Sequence, residues 1–323
     1  MDRIGVAFFG AGDICELHSE AVIATPGADL VAIWNRTKEK AEARAKQYNI
    51  KKVYDTPEAL LADPEVDVVF VITNMETHCE LTCKALKAGK HVLVEKPTAT
   101  TIEEIEQIRA ARDLAGKQVA PVHNYIYEPG LWRTKELLDS GKLGKLVSFY
   151  MMYNIHHPEE VAARYPGVIR QILTHHAYTM LYVAGQPISV SCMKSTINDG
   201  SVEQENIAMA SLQMQNGALS HLCASFASDE HAGDPWTCMI KVIGTLGATR
   251  FSYRDWVENT PAVVHSQTYS CYPYSIRNTA QHFLEKVVRK GEAPLSTLED
   301  AITCQRIIEG CEKSVAEDVI VRL

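Results

Sequence analysis

With 323 residues, 46% of them hydrophobic and 22% charged, the chain can fill a core in each of two domains and is too apolar for extensive disorder. Its formal net charge of −8 at pH 7 excludes a general nucleic-acid binder, which would show a basic face or stripe. A local basic pocket for a phosphorylated small molecule survives that negative sum.

The first third alternates short apolar runs with helical patterns. Strands are predicted at residues 4–9, 30–34, 53–54, 68–72, 91–94 and 118–122. This alternation predicts an α/β domain with a doubly wound parallel sheet covered on both faces. The first strand runs into Gly10-Ala11-Gly12. Gly10 permits a tight turn, Gly12 lets backbone N–H groups approach a pyrophosphate, and Asp13 and Ile14 open a helix in which Cys15 is small enough to pack on the strand. No signal-peptide pattern stands ahead of this strand, and no apolar run in the chain approaches the roughly 18 residues of a membrane span. A cytoplasmic protein with no membrane partner is the expectation.

The second strand ends at Asn35-Arg36-Thr37, where an NAD site usually carries an acid for the ribose 2′-hydroxyl. Asn35 does not repel a 2′-phosphate, and Arg36 can make a charge-assisted contact to it worth about 1.5–3 kcal/mol. NADP is therefore favoured, with NAD possible through Asn35. Downstream, Thr56-Pro57-Glu58 reads as a cap, a first-turn proline and an acid facing the helix dipole. Thr101 to Glu104 has capping-box spacing. Thr73, Asn74 and His78, beyond the fourth strand, are counted with the cofactor site. Cys79 and Cys83 sit four apart on a predicted helix and read as buried thiols, since no zinc-type partner pair accompanies them. The odd total of nine cysteines fits reduced thiols.

The fifth strand, His91-Val92-Leu93-Val94, stops at Glu95-Lys96-Pro97. Ligands sit beyond the carboxyl ends of parallel strands, so Lys96 leaves the strand where it can reach a crevice, with Glu95 sent to the opposite side. Pro97 cannot extend the ladder and stiffens the exit. A lysine there can hydrogen-bond a substrate oxygen, and burial would lower its pKa toward a working value. A strand-end lysine in solvent is the competing reading.

After residue 122 the rhythm changes. A helix at 131–140 precedes strands at 145–155, 188–196, 207–213, 219–226, 239–243 and 249–253, with a tight Asn216-Gly217 connection. Strand following strand predicts an α+β domain with a large, mostly antiparallel open sheet. Such a sheet commonly buries its exposed face in an oligomer, so a homodimer or homotetramer is expected. Helices at 276–289 and 296–312 close the chain, the first stopping at Lys290-Gly291. The domain boundary falls between 122 and 123.

Gly10-Ala11-Gly12, "KALKAGKHVLVEKP" (84–97), "SGKLGKLVSF" (140–149), "IGTLGATRF" (243–251) and "FLEKVVRKGEAPLSTLEDAITCQRIIEGCEKS" (283–314) together resemble the Gfo/Idh/MocA oxidoreductases. The resemblance runs over nearly the whole chain. It implies a Rossmann domain plus a mostly antiparallel second domain, a nicotinamide cofactor, and hydride transfer at a secondary alcohol or ketone of a sugar or cyclitol. Lys96 falls on the family's active-site lysine. "HNYIYEP" (123–129) resembles the segment that lines the substrate site, which points to Asn124 and Tyr125; packing is the other reading for Tyr127.

One departure stands out. The family usually carries an Asp and, four residues on, a His on one helix, aimed at the same pocket. His175 falls on the histidine and Gln171 on the acid. Gln171 can orient a hydroxyl but cannot exchange a proton, so Lys96 and His175 are the expected catalytic pair. His176 is an added imidazole, read as packing or a rim contact and counted among the substrate-side residues. The pairs His156/His157 and His175/His176 do not aim both rings at one ion, and no metal is expected. Two alternatives stay open: a non-catalytic dinucleotide- or sugar-binding regulator, motivated by the missing acid, and a cofactor-recycling enzyme that cleaves glycosides by oxidation and elimination. Arg164, Tyr165 and Trp236, in loops at 156–166 and 228–236, are further candidates for substrate contact.

Overall fold

The run IGVAFF is buried along its whole length as β1 (Ile4–Phe9), in the interior of a six-stranded sheet. A strand apolar at every position is what a sheet covered on both faces demands. The computed structural model describes residues 3–157, 159–197, 203–227, 236–252 and 272–323. In chain order β1 is followed by α1 (Ile14–Ile23), β2 (Ala28–Trp34), α2 (Lys38–Tyr48), β3 (Lys52–Tyr54), α3 (Pro57–Leu61), β4 (Val68–Val71), α4 (His78–Lys87), β5 (His91–Val94), α5 (Ile102–Ala115) and β6 (Val119–Pro121). The strands pair in parallel in the order β3-β2-β1-β4-β5-β6. Strand order reverses between β1 and β4, which makes their carboxyl ends the switch point of the sheet.

Local chemistry fixes the helix starts. Thr56 Oγ1 accepts the Ala59 N–H at 3.1 Å, with Pro57 in the first turn. Thr101 Oγ1 accepts the Glu104 N–H at 3.2 Å. Glu104 does not return to Thr101: its carboxylate accepts the N–H and hydroxyl of Thr100 at 2.8 and 2.5 Å, so the box closes one residue upstream.

The chain divides into two compact units, Met1–Asn124 with Ser275–Ile302, and Tyr125–Tyr274 with Thr303–Leu323. In the first unit the returning segment is tied to the Rossmann-type core. Ser296 Oγ donates to the Pro121 carbonyl at 2.6 Å, Arg289 donates to the Gly27 carbonyl at 3.0 Å, and Leu298 and Ile302 join the apolar cluster around Val92, Val94 and Ile105.

The second unit is built from α6 (Pro129–Asp139), β7 (Leu146–Ile155), a short α7 (Glu159–Ala162), a π-helical turn Ile169–Leu173 that runs into α8 (Thr174–Ala184), then β8 (Pro187–Ser195), β9 (Ile207–Met214), β10 (Leu219–Ser225), β11 (Trp236–Gly244) and β12 (Ala248–Ser252). The chain ends with α9 (Tyr272–His282), α10 (Leu298–Glu317) and β13 (Val321–Arg322). The sheet order is β12-β11-β7-β10-β9-β8-β13. It is mostly antiparallel, with one parallel pair, β7 and β10. The β9–β10 hairpin turns at Gly217, which alone of the Asn-Gly pair takes a positive φ, 86°. Tyr253 and all of the predicted loop at 228–236 except Trp236 lie outside the described residues, and Trp236 opens β11 rather than sitting in a loop. Among the described residues no helix is long and apolar enough to cross a membrane.

Candidate functional site

In the first unit the dinucleotide end is organised by backbone crowding. Gly10 has a φ of 120°, and a Cβ there would stand 2.6 Å from the Ile72 carbonyl oxygen leaving β4. Only glycine lets β1 and β4 exit side by side. Gly12 differs: a Cβ there would meet nothing within 4 Å. The turn therefore opens onto free space at the head of α1, where the first N–H groups of a helix have no intrahelical partner. That cradle fits a pyrophosphate.

Asn35 braces this turn. Its Oδ1 accepts the Ala11 N–H at 3.1 Å, and its Nδ2 donates to the Thr37 carbonyl at 2.8 Å. Both ends of the amide are thus occupied within the protein. Arg36 and Thr37 are exposed beside it, and Arg36 makes no ion pair among the described residues. Thr73 accepts a hydrogen bond from the Thr77 hydroxyl at 2.7 Å, and Asn74 precedes the short turn Met75–Thr77.

His78 is buried. Its two ring nitrogens lie 2.8 Å from the Pro97 carbonyl and 3.0 Å from the Thr73 carbonyl. Both acceptors are carbonyls, so a neutral ring donates to one at a time. Burial, the main influence, holds the ring below the usual histidine range against the pull of those carbonyls. His78 thereby ties the loop after β4 to the loop after β5 from behind.

Lys96 leaves β5 half-buried and crowded by protein, and the Lys96–Pro97 peptide is cis. Desolvation brings its ammonium down to about 8, with the Glu95 carboxylate opposing. Glu95 is buried. Its Oε2 accepts the Lys96 N–H at 2.9 Å and its Oε1 lies 2.9 Å from His18 Nε2. Burial pushes the Glu95 carboxyl up, but the His18 bond and the nearby Lys96 charge outweigh it, and the group sits below its ordinary value. His18, on α1, is a residue that sequence reasoning missed. Its one signal is a polar ring on a helix face otherwise made of Cys15, Ser19 and Val22, all buried.

Asn124 is also buried in this unit, its amide donating to Ser275 Oγ at 2.6 Å. It stitches the entry into the second unit to the returning segment.

In the second unit Tyr125, His175 and Tyr178 form one buried aromatic cluster. Tyr125 meets the His175 ring edge-on at 5.2 Å, and its N–H donates to Tyr178 Oη at 3.4 Å. Tyr178 Oη lies 2.6 Å from His175 Nδ1. A phenol that accepts from the Tyr125 backbone can give its own proton to Nδ1, which leaves the His175 proton on Nε2. Gln171 does not sit on a regular helix with His175. It lies in the π-helical turn ahead of α8, so the four-residue spacing crosses a change of helical pitch. That turn is held at its start. Glu205 accepts the Ile169 N–H at 3.1 Å, and Arg170 makes a two-pronged bond to Glu312 at 2.6 and 2.8 Å. Such π-turns recur at functional sites.

His176 is in the core: its Nδ1 donates to the Ile172 carbonyl at 3.0 Å, its ring packs against Tyr153, and burial pushes it down to about 3. His157 meets Phe226 edge-on at 4.5 Å, beside a cavity of about 150 Å³ that Gly167, Glu205 and Asn206 also line. Among the described residues no three His, Cys, Asp or Glu side chains gather to hold a metal.

Two family descriptions match in tandem: the oxidoreductase family with an NAD-binding Rossmann fold over residues 4–123, and the Gfo/Idh/MocA C-terminal domain over residues 131–250. The chain belongs to the Gfo/Idh/MocA oxidoreductases. Among its relatives, the 1,5-anhydro-D-fructose reductase of Ensifer adhaerens is 28% identical over 236 residues, 71% of this chain and 70% of that protein. The myo-inositol 2-dehydrogenase of Thermotoga maritima is 26% identical and covers 99% of this chain and 98% of its own. In fold the chain is similar to GenD2 from gentamicin A biosynthesis, solved with NAD, at a TM-score of 0.86 and 21% identity, covering 100% of this chain and 97% of that one.

Proposed function

We propose that this oxidoreductase transfers a hydride between NADP(H) and a secondary alcohol or ketone of a sugar, cyclitol or related carbonyl compound. The substrate class follows the names of its relatives, a sugar-derivative reductase and an inositol dehydrogenase. The observation that carries the chemistry is Lys96, an ammonium brought to about 8 at the carboxyl end of a parallel strand. At neutral pH such a group can both give and take a proton. The bound nicotinamide supplies or accepts the hydride. Gly10 and Gly12 shape the pyrophosphate seat, Asn35 holds that turn, and Arg36 is the cation for a 2′-phosphate. Lys96 hydrogen-bonds the substrate oxygen and exchanges its proton, with His175, oriented by Tyr178, as the second ionisable group. In this reading residues 1–122 serve the dinucleotide and 123–323 the substrate.

The protein is proposed to act in the cytoplasm, where the eight described cysteines, all free thiols, stay reduced. It is further proposed to self-associate through its second sheet. Register places Met193, Met209, Cys223, Met152 and Met239 in one row across five adjacent strands. Met193 is 76% and Met209 45% exposed at its open end. A second copy is the occupant that would cover such an apolar row.

The test is a fluorescence titration with NADPH against NADH, followed by a spectrophotometric screen of sugars, cyclitols and ketones with the tighter cofactor. Lys96→Met should abolish turnover with cofactor affinity largely kept; unchanged activity would remove Lys96 from the mechanism. Gln171 in place of an acid favours a second reading, a dinucleotide-binding regulator. That protein would bind the cofactor tightly and reduce nothing in the screen.

A further inference from the structure

Lys96 is supported by a buried chain of contacts that begins on the dinucleotide helix. His18 projects from α1 with no solvent exposure, edge-on to Phe8 and Phe70 at 6.5 and 5.6 Å. Its Nε2 meets Glu95 Oε1 at 2.9 Å, and its Nδ1 has no hydrogen-bond partner. Among the described residues the ring's only hydrogen-bond partner is thus Glu95, to which Nε2–H donates. Glu95 turns its other oxygen to the N–H of Lys96 at 2.9 Å. One carboxylate therefore links α1, which starts at the glycine turn, to the backbone of the reacting lysine. An apolar side chain would fill the same space between two phenylalanines, so packing alone does not call for an imidazole here.

We propose that His18 is a positioning residue, which by holding the Glu95 carboxylate in place sets both the location and the ionisation of Lys96. The proposal rests on the oxidoreductase reading only for its kinetic readout.

The direction of the effect follows from the charges around the carboxylate. The groups that face Glu95 are His18 from α1, Lys96 from the end of β5 and, acting over a longer distance, His78 from α4. Burial is the largest influence on Glu95 and opposes its charge. Without the His18 donor, burial weighs more heavily against the charge and the Glu95 carboxyl moves up. Lys96 then loses part of the one influence that raises it. Its titration moves to lower pH, and the backbone bond that locates it weakens.

The experiment compares His18→Leu, which fills the space without a donor, with His18→Gln, whose amide nitrogen reaches the position of Nε2. Should the leucine variant not fold, His18→Asn takes its place, since its shorter amide leaves Glu95 without a partner. Lysine ¹³Cε resonances, with Lys96 assigned through Lys96→Met, report the Lys96 midpoint without any substrate. In the leucine variant the midpoint should fall by about 0.5 or more in pH. Its kcat should drop more than about tenfold as the lysine loses its placement, with the dinucleotide Kd within about threefold of wild type because the glycine turn is untouched. His18→Gln should restore both. A leucine variant with the wild-type midpoint, or a glutamine variant no better than leucine, overturns the proposal. If the midpoint moves as described while wild type turns over no carbonyl compound, the oxidoreductase reading falls and the role of His18 stands.

Discussion

Lys96→Met should make the protein more stable at neutral pH while removing its turnover. Desolvation holds the Lys96 ammonium at about 8 against an ordinary 10.5. Each pH unit of that lowering is worth about 1.4 kcal/mol, so keeping the charge inside the folded chain at pH 7 costs about 3 kcal/mol at most. The half-buried position of the residue makes that figure a ceiling. A lysine depressed on folding binds fewer protons than the unfolded chain between its folded and unfolded values. Wild-type stability therefore rises with pH from about 8 to 10.5 on this account. Methionine of similar length carries no charge and lacks this slope. Urea unfolding of both proteins at pH 7 and at pH 10.5 checks it. The variant should lead by up to about 3 kcal/mol at the lower pH and lose that lead at the higher one. Equal stabilities at pH 7 would mean that the ammonium is as well solvated as in the unfolded chain. The reasoning that makes Lys96 a proton carrier near neutrality would fail with it.

Arg36→Ala should weaken NADPH by about tenfold to a hundredfold and leave NADH nearly unchanged. Asn35→Ala should weaken both by a similar factor of about fivefold, one hydrogen bond's worth, because its amide braces the turn. Fluorescence titrations separate the two, and a loss confined to one dinucleotide in Asn35→Ala would put that residue on the ribose. Glu128, buried and lifted to about 7 by desolvation, with Oε1 lacking a hydrogen-bond partner, destabilises the fold as pH rises from 4.5 through 7. The advantage of Glu128→Gln in urea should grow by about 3 kcal/mol between pH 4.5 and 8, and a constant difference would show the carboxyl to be solvated. His176, pushed down to about 3, must be neutral in the fold. It contributes stability above 6.5 that is lost as pH falls, about 2 kcal/mol by pH 5. His176→Gln should unfold less readily in acid, and an unchanged acid midpoint would refute that.

What the sequence discloses is what local rules govern. Apart from β11, which starts three residues ahead of its predicted limit, and the unpredicted β13, the strands fall within two residues of their predicted limits because apolar runs, glycines and prolines mark them. Thr56 and Thr101 cap as their spacing requires. The contacts that define the site are of another kind. His18 and Glu95 are 77 apart in sequence, and neither type of residue announces a partner. The amide of Asn35 faces inward to Ala11, a matter of how β1 and β2 lie side by side. The parallel pairing of β7 with β10 is set by where the intervening α8, β8 and β9 pack, which no turn residue encodes. The π-helical turn at Ile169–Leu173 leaves no mark in a pattern that fits an α-helix nearly as well.

The Glu95 carboxylate, buried beside His18 and next to Lys96, is expensive for a fold to keep. A close-packed apolar substitute for a buried ion pair is often neutral or stabilising, and the side chains around His18, Phe8 and Phe70, are already apolar. Yet His18, Glu95 and Lys96 sit together at the carboxyl end of β5, beside the switch point between β1 and β4. A charge that serves the fold can lie at the opposite end of the sheet, as the buried Asp63 does ahead of β4, paired with Lys52 at 2.8 Å. The gathering of three such groups at the end where ligands bind in this fold, and the tuning of one of them to about 8, are what a proton-exchanging site requires. On this reading the cost in stability falls where the proposed chemistry is.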